Sequence, residues 1–553
     1  MTESILQLDS RDNVLVALTA LDAGDEVRCG AGLCRVIERI PPKQKMALAD
    51  LKPGDLIFMY GMVVGEATQA IPRGGLLTTS NVRHRAGDYS AVRRPAAIAP
   101  PDASAWTPRT FMGYRRADGQ VGTRNYWIVV PLVFCENRNV EQMREALEEE
   151  LGYGRANNTY RRRVRDLLER QKEGGASHST LATENVARMG HPEARMERAF
   201  PNLDGIRFLT HQLGCGGTRQ DARALCGLLA GYIHHPNVAG ATVLSLGCQN
   251  AQASLLMEEL RGRDPELRKP VLIFEQQKSG HEATLMEQAL DQTIAALGEA
   301  NRAQREPAPL SALTIGLQCG GSDGFSGISA NPAVGHVSDL VVGAGGKTML
   351  SEFPELHGVE QELINRCATD ELAQRFSDLM QAYAARAKAV QSDFAFNPSP
   401  GNIRDGLITD AIKSAGAARK GGLSPVSDVI DYPEYATRPG LTLQCTPGND
   451  VESVTAQVGA GSTLVLFTTG LGTPTGNPIS PVVKISTNSD LAARMGDIID
   501  FDAGGIVTGE TSVAACAERL LDLSIEVASG NRLTKAEERG QIDFIPWKRG
   551  VSL

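Results

Sequence analysis

The chain runs to 553 residues, more than one hydrophobic core supports, and so implies several domains. Its composition, 42% hydrophobic and 22% charged, is that of an ordinary folded protein. A net charge of −9 excludes a general nucleic-acid binder but leaves room for a small anion held by local Lys and Arg.

No apolar run approaches the ~20 residues that cross a bilayer, and "MTESILQLDSRDNV" lacks the basic-then-apolar layout of a secretory leader. Ten cysteines fall without regular spacing or a CxxC pair, which suits neither a disulfide framework nor a zinc knuckle. A reducing cytoplasm is the expected home, with no membrane or nucleic-acid partner and a homo-oligomer as the expected assembly.

Residues 1–92 read as a small β-rich unit. Its runs "DNVLVALTAL" and "DLIFMYGMVVGEAT" predict strands, separated by the turn signals "PPK" and "KPGD". Residues 93–109, rich in Pro and Ala without a periodic apolar face, predict a linker. From residue 110 onward, apolar β-branched runs alternate with helical patterns, which predicts α/β architecture with mainly parallel strands. The predicted strands are "NYWIVVPLVFC", "IRFLTHQLGC", "ATVLSLGC", "PVLIFEQQ", "LTIGLQC", "LTLQC" and "TLVLFTTG". "NVEQMREALEEEL" and the long stretch 359–390 predict amphipathic helices. Arg- and Glu-rich segments between 152 and 200 predict solvated helices and loops. Two prolines and a glycine in "FAFNPSPGN" predict a domain boundary, dividing a central unit (110–393) from a C-terminal one (394–553).

Ligands of open α/β sheets bind beyond the carboxyl ends of the strands. There the sequence places His211, Cys215 and Arg219; then Cys248, Gln249 and Asn250; then Glu275; then Cys319, Ser322 and Asp323; and finally Cys445 to Asp450 and Thr468 to Asn477. A single strand-end cysteine is usually a small buried hydrophobe. Three of them beside glycine point with equal weight to a ligand role, since glycine lets backbone N–H groups approach an anion. "LGCGGTRQD" and "LQCGGSDGF" form a weak internal echo. "SEFPELHG" sets Glu352, Glu355 and His357 close together, a pattern that first reads as a solvated loop.

Longer motifs carry a family resemblance. "GYRRADGQVGTRNYW", "CGGSDGFSGISANPAVG", "LSEFPELHGVEQEL", "NPSPGN", "PGND", "LFTTGLGTP" and "KISTNSDLAARMGDIIDFDAG" resemble the altronate/galactarate dehydratase family, closer to its altronate branch. Residues 1–92 are similar to its small β-clip (SAF) domain. The resemblance implies two α/β Rossmann-like domains behind that unit. It also implies a hydro-lyase that turns a sugar acid, D-altronate first and galactarate or another hydroxy acid as the alternative, into a 2-keto-3-deoxy acid. A non-catalytic sugar-acid sensor is the alternative of a different class. Three positions depart from the family's pattern: Asp9 replaces a common histidine, Leu471 an arginine and Ile403 a lysine.

Removing a proton beside a carboxylate loads charge onto an anion, so the reaction calls for a base, an acid for the leaving hydroxyl and a stabilising cation. The resemblance implies Fe2+, with Mn2+ as a substitute. On that basis His211, Asp323 and Glu352 are the expected catalytic groups, and Cys215, Cys248 and Cys319 the expected metal ligands. Gly320, Gly321, Ser322, Asn449, Thr468 and Thr469 are the expected substrate contacts. An iron–sulfur cluster on the same three cysteines is the second cofactor reading.

Overall fold

The computed structural model describes residues 4–29, 32–95, 99–154, 159–172 and 197–552. The N-terminal unit is built from short antiparallel sheets. One contains Ile5–Leu6, Val14–Ala17, Lys45–Ala47 and Leu76–Leu77; another contains Leu56–Met59, Met62–Ala67 and Val82–Arg83. The run "DLIFMYGMVVGEAT" is therefore a hairpin and not a single strand. Tyr60 and Gly61 both take positive φ (59° and 74°), the twist that a two-residue hairpin turn requires.

The expected linker is fastened down. Arg93 pairs with Asp370 at 3.0 Å, the Arg94 N–H donates to the Asn365 side chain, and Ala103 and Trp106 are buried. Of the segment between 152 and 200, the helix Thr159–Lys172 is as expected, while 173–196 lies outside the described residues.

Two parallel sheets follow, confirming the α/β reading. In the first, the order is Gly205–Phe208, Tyr126–Pro131, Val238–Ser245, Val271–Glu275. In the second, it is Val426–Ile430, Gly440–Gln444, Lys347–Leu350, Thr314–Cys319, Leu464–Thr469, Val482–Ser486, Phe501–Asp502. The strands of both sheets are apolar in runs rather than in alternation, because helices cover both faces. Thr314–Cys319 and Leu464–Thr469 are buried at every position.

The expected boundary at 394–402 does not divide the fold. Strands from both sides of it share the seven-stranded sheet, and the prolines merely limit two short helices, Phe394–Phe396 and Pro400–Arg404. The amphipathic stretch 359–390 is likewise two helices, Glu360–Arg366 and Asp370–Ala389. The second is started by Thr369, whose hydroxyl accepts from Leu372 N–H.

Strand order fixes where ligands belong. In the seven-stranded sheet the chain builds outward from Thr314–Cys319 on one side and from Leu464–Thr469 on the other. Strand direction of travel reverses between these two neighbours, and a crevice opens at such a switch point. In the four-stranded sheet the switch lies at Tyr126–Pro131, flanked by the strands that follow it on opposite sides. Among the described residues no helix is long and apolar enough to cross a membrane.

Candidate active site

The strand Thr314–Cys319 delivers Cys319 to the switch point, and Gly320 and Gly321 leave the space beyond it clear. A Cβ on Gly320 would lie 2.3 Å from Asp450 Oδ2, so no side chain fits there. Gly321 has φ +60°, where glycine is favoured.

Behind Cys319 sits a cluster of buried charges. Glu352 accepts from Lys420 Nζ at 2.7 Å and from Gln318 Nε2 at 2.6 Å. Lys420 Nζ also lies 2.6 Å from Cys319 Sγ, and Glu355 pairs with Lys413 at 2.7 Å. Glu352 holds its place in the left-handed region (φ 64°, ψ 57°), with its N–H donating to Thr446 Oγ1 at 2.9 Å. A glutamate pays strain there, and such strain concentrates at functional sites. Far from a solvated loop, "SEFPEL" is sealed inside the fold, with Glu352 fully buried and Glu355 nearly so.

The electrostatics follow from that burial. Desolvation pushes Glu352 up to about 7, with Lys420 pulling the other way. Glu355 is held below its ordinary value, because Lys413 and Lys420 outweigh its burial. The Cys319 thiol is pushed well up by burial and by both glutamates.

Asp450 stands at the front of this cluster. It opens the helix Asp450–Gly459, directly after the capping residue Asn449, and remains partly exposed. Burial and the charge of Glu355 push it up to about 7, against the pull of Lys413, Lys420 and Lys484. Lys484, buried under the Phe467 ring, is brought down to about 8. The rim around Asp450 comes from three motif loops. Ideal Cβ positions at Gly448, Gly321 and Gly401 fall 3.2 Å from Asn397, 3.2 Å from Leu471 and 3.7 Å from Leu471.

The small N-terminal unit reaches into the same region. Lys43 Nζ lies 2.9 Å from Asp323 Oδ2 and 3.3 Å from Asp405 Oδ1. Asp323 also accepts from Ser326 Oγ, Phe325 N–H and Thr487 Oγ1, which leaves it a scaffold for Lys43. Lys45, fully buried, donates to the carbonyls of Lys43 and Gly406, and burial lowers it to about 7.

Three domain descriptions match the chain. They are "Altronate/galactarate dehydratase SAF domain" over residues 3–85, "D-galactarate dehydratase/Altronate hydrolase, second domain" over 113–301, and "D-galactarate/Altronate dehydratase, C-terminal" over 310–552. The chain is 33% identical to altronate dehydratase of Bacillus subtilis (strain 168), covering 100% of each protein. It is 33% identical to altronate dehydratase of Escherichia coli (strain K12), covering 99% of each. It is 32% identical to galactarate dehydratase (L-threo-forming) of the same organism, covering 98% of this chain and 95% of that one. This chain belongs to the altronate/galactarate dehydratase family.

In this dehydratase the structure redistributes the expected site residues. His211 is not placed as a base: its Nε2 donates to Pro131 carbonyl at 2.8 Å and its Nδ1 accepts from Leu213 N–H at 3.1 Å. Burial lowers it to about 4, so it is a neutral brace between strand ends. Asn449 is the helix cap, accepting from Val451 and Glu452 N–H. The Thr468 hydroxyl donates to Asn331 at 2.6 Å, Thr469 Oγ1 accepts from Gly472 N–H, and the Ser322 carbonyl accepts from Asn402. These residues shape the crevice from behind. Asp450 lies in the strand-end run Cys445 to Asp450, whereas Lys413 and Lys420 stand outside every predicted strand end. The two lysines are seven residues apart in a stretch dominated by small residues, "DAIKSAGAARK", and that is the signal they offered.

The expected metal ligands separate as well. Cys319 lies with Glu352 and Glu355, whose ligand atoms fall within 4.8 Å of one another and which form the one such group among the described residues. The donors are right in kind for iron, but Lys420 Nζ occupies the position between Cys319 Sγ and Glu352 Oε2. The cluster is an ammonium-neutralised acid set and does not fit a metal ion as it stands. Cys215 and Cys248 belong to the other sheet and are exposed, so they do not join Cys319.

Proposed function

We propose that this hydro-lyase dehydrates D-altronate to 2-dehydro-3-deoxy-D-gluconate, with Asp450 as the group that moves the proton. The observation that carries the reading is the partly exposed Asp450 carboxyl, brought to about 7 at the switch point and backed by Lys413 and Lys420. A base works best when its pKa lies near the operating pH. Asp450 takes the C2 proton, and the two ammonium groups offset the charge that grows on the substrate carboxylate. The C3–O bond then breaks, the proton held by Asp450 leaves with the 3-hydroxyl as water, and the enol becomes the ketone.

Two features favour a monoacid over galactarate, which carries a carboxylate at each end. Leu471 packs over Gly321 and Gly401 at the rim, and Ile403 lies in the adjoining helix. A second carboxylate meets hydrocarbon at Leu471, at the cost of desolvation. The test is an anaerobic assay of the purified chain, supplied with iron(II), on D-altronate, galactarate and other aldonates, reading 2-keto-3-deoxy acid. Product from altronate supports the assignment; product from galactarate alone moves it to the diacid; none from any acid removes the catalytic reading.

A further inference from the structure

Seven of the ten cysteines are buried, and the three exposed ones are Cys135, Cys215 and Cys248. These three follow the ends of adjacent strands at the switch point of the four-stranded sheet: Tyr126–Pro131, Gly205–Phe208 and Val238–Ser245. Their loops are laced together. Phe134 N–H donates to Leu213 carbonyl at 3.0 Å, Ala251 N–H to Gly214 carbonyl at 3.1 Å, and Asn250 Nδ2 to Cys215 carbonyl at 2.8 Å.

Two of the loops repeat one device. Leu213-Gly214-Cys215 and Leu246-Gly247-Cys248 each place a glycine at positive φ (102° and 120°) immediately before the cysteine. At Gly214 a Cβ would lie 2.0 Å from Leu132 carbonyl, so the turn admits only glycine and aims the next residue outward. The thiols sense one another: Cys135 is raised first by partial desolvation and then by Cys215, with Cys248 adding to it.

Free exposed thiols are oxidation hazards that proteins avoid without a use for them. Soft thiolates select zinc, copper(I) or iron–sulfur clusters. Among the described residues the trio is not among the groups whose ligand atoms all lie within 4.8 Å, so the sulfurs stand wider than one ion bridges. We propose that Cys135, Cys215 and Cys248 hold a [4Fe–4S] cluster, one thiolate to each of three irons, with the fourth iron left without a protein ligand. The inference replaces Cys319 with Cys135 in the thiol set and is independent of which sugar acid the enzyme uses.

The test is anaerobic reconstitution of the full chain with iron(II) and sulfide, followed by desalting. Bound iron, acid-labile sulfide and the visible sulfur-to-iron absorption are then read. Wild type and Cys319→Ser are expected to retain equal amounts of iron and sulfide and an absorption that dithionite bleaches. Cys135→Ser, Cys215→Ser and Cys248→Ser are each expected to lose most of it, about fivefold or more, with circular dichroism unchanged. These sites are exposed, so serine leaves the core alone. Wild type that binds no labile sulfide, or binds a single zinc instead, overturns the proposal. So does a Cys215→Ser/Cys248→Ser double variant that keeps the absorption, or a Cys319→Ser variant that loses it.

Discussion

Lys420 Nζ lies 2.7 Å from Glu352 Oε2, and neither side chain retains more than 1% exposure. Two charges so placed have given up hydration that only their partner and neighbouring hydrogen bonds restore. Lys420→Met therefore leaves a buried carboxylate unpaired and is expected to cost about 3–5 kcal/mol in denaturant unfolding. The double variant Lys420→Met/Glu352→Gln recovers most of that loss, because a neutral amide has no charge to strand. An equal loss in both variants would show that packing, not charge, is what Lys420 supplies.

Asp450→Asn is expected to lower kcat by about 10²–10⁴ while leaving the protein folded. The variant's rate profile loses its limb near pH 7. Stability moves the other way. Folded Asp450 keeps its proton up to about 7, while the unfolded group releases it near 3.8, so the folded state binds more protons between these values. Stability contributed by this group falls as pH rises through that window. Asp450→Asn flattens that slope and unfolds later than wild type at pH 8, which urea titrations at several pH values measure.

His211 predicts the opposite pattern. Its folded value of about 4 lies below the ordinary 6.5, so the unfolded state takes up protons first on acidification. That residue's contribution to stability is lost as pH falls from 6.5 to 4. His211→Asn is expected to lower stability by about 1–3 kcal/mol through the orphaned Pro131 carbonyl, yet to keep the wild-type pH–rate profile. A shifted profile would restore His211 to the chemistry.

Leu471→Arg places a cation at the rim beside Gly321 and Gly401. A charge-assisted bond to a second carboxylate is worth about 1.5–3 kcal/mol, so the galactarate-to-altronate ratio of kcat/KM is expected to rise about tenfold or more. No change in that ratio would place the distal end of the substrate elsewhere.

The sheet class, the small β-rich N-terminal unit and the strand-end polar clusters were legible because long apolar runs and strand-end glycines are local features; that the small unit is a SAF domain came from its resemblance to the family. Which strands share a sheet was not legible: Lys347–Leu350 and Val482–Ser486 carry lysine and serine in runs too short to stand out, and "FAFNPSPGN" marks a turn as strongly inside a domain as between domains. The site was half legible. Glu352 and Cys319 are neighbours through parallel pairing across the sheet, but Lys420 arrives from a short helix a hundred residues on, and only burial distinguishes it from a surface lysine. His211 was misread because a histidine between a strand and a glycine turn looks the same whether its ring faces a substrate or a carbonyl. Cys135 follows Phe134 and lacks the preceding glycine that marks Cys215 and Cys248 in the sequence.

The Lys43–Asp323 pair joins the smallest unit of the protein to the floor of its crevice. Asp323 has no exposed surface of its own, and its counterion is supplied from 280 residues upstream. If the chain were cut within residues 93–109 and the two pieces made separately, the larger one would carry an uncompensated anion beneath its crevice. Activity would then return only on mixing, with the small piece behaving as a titratable activator.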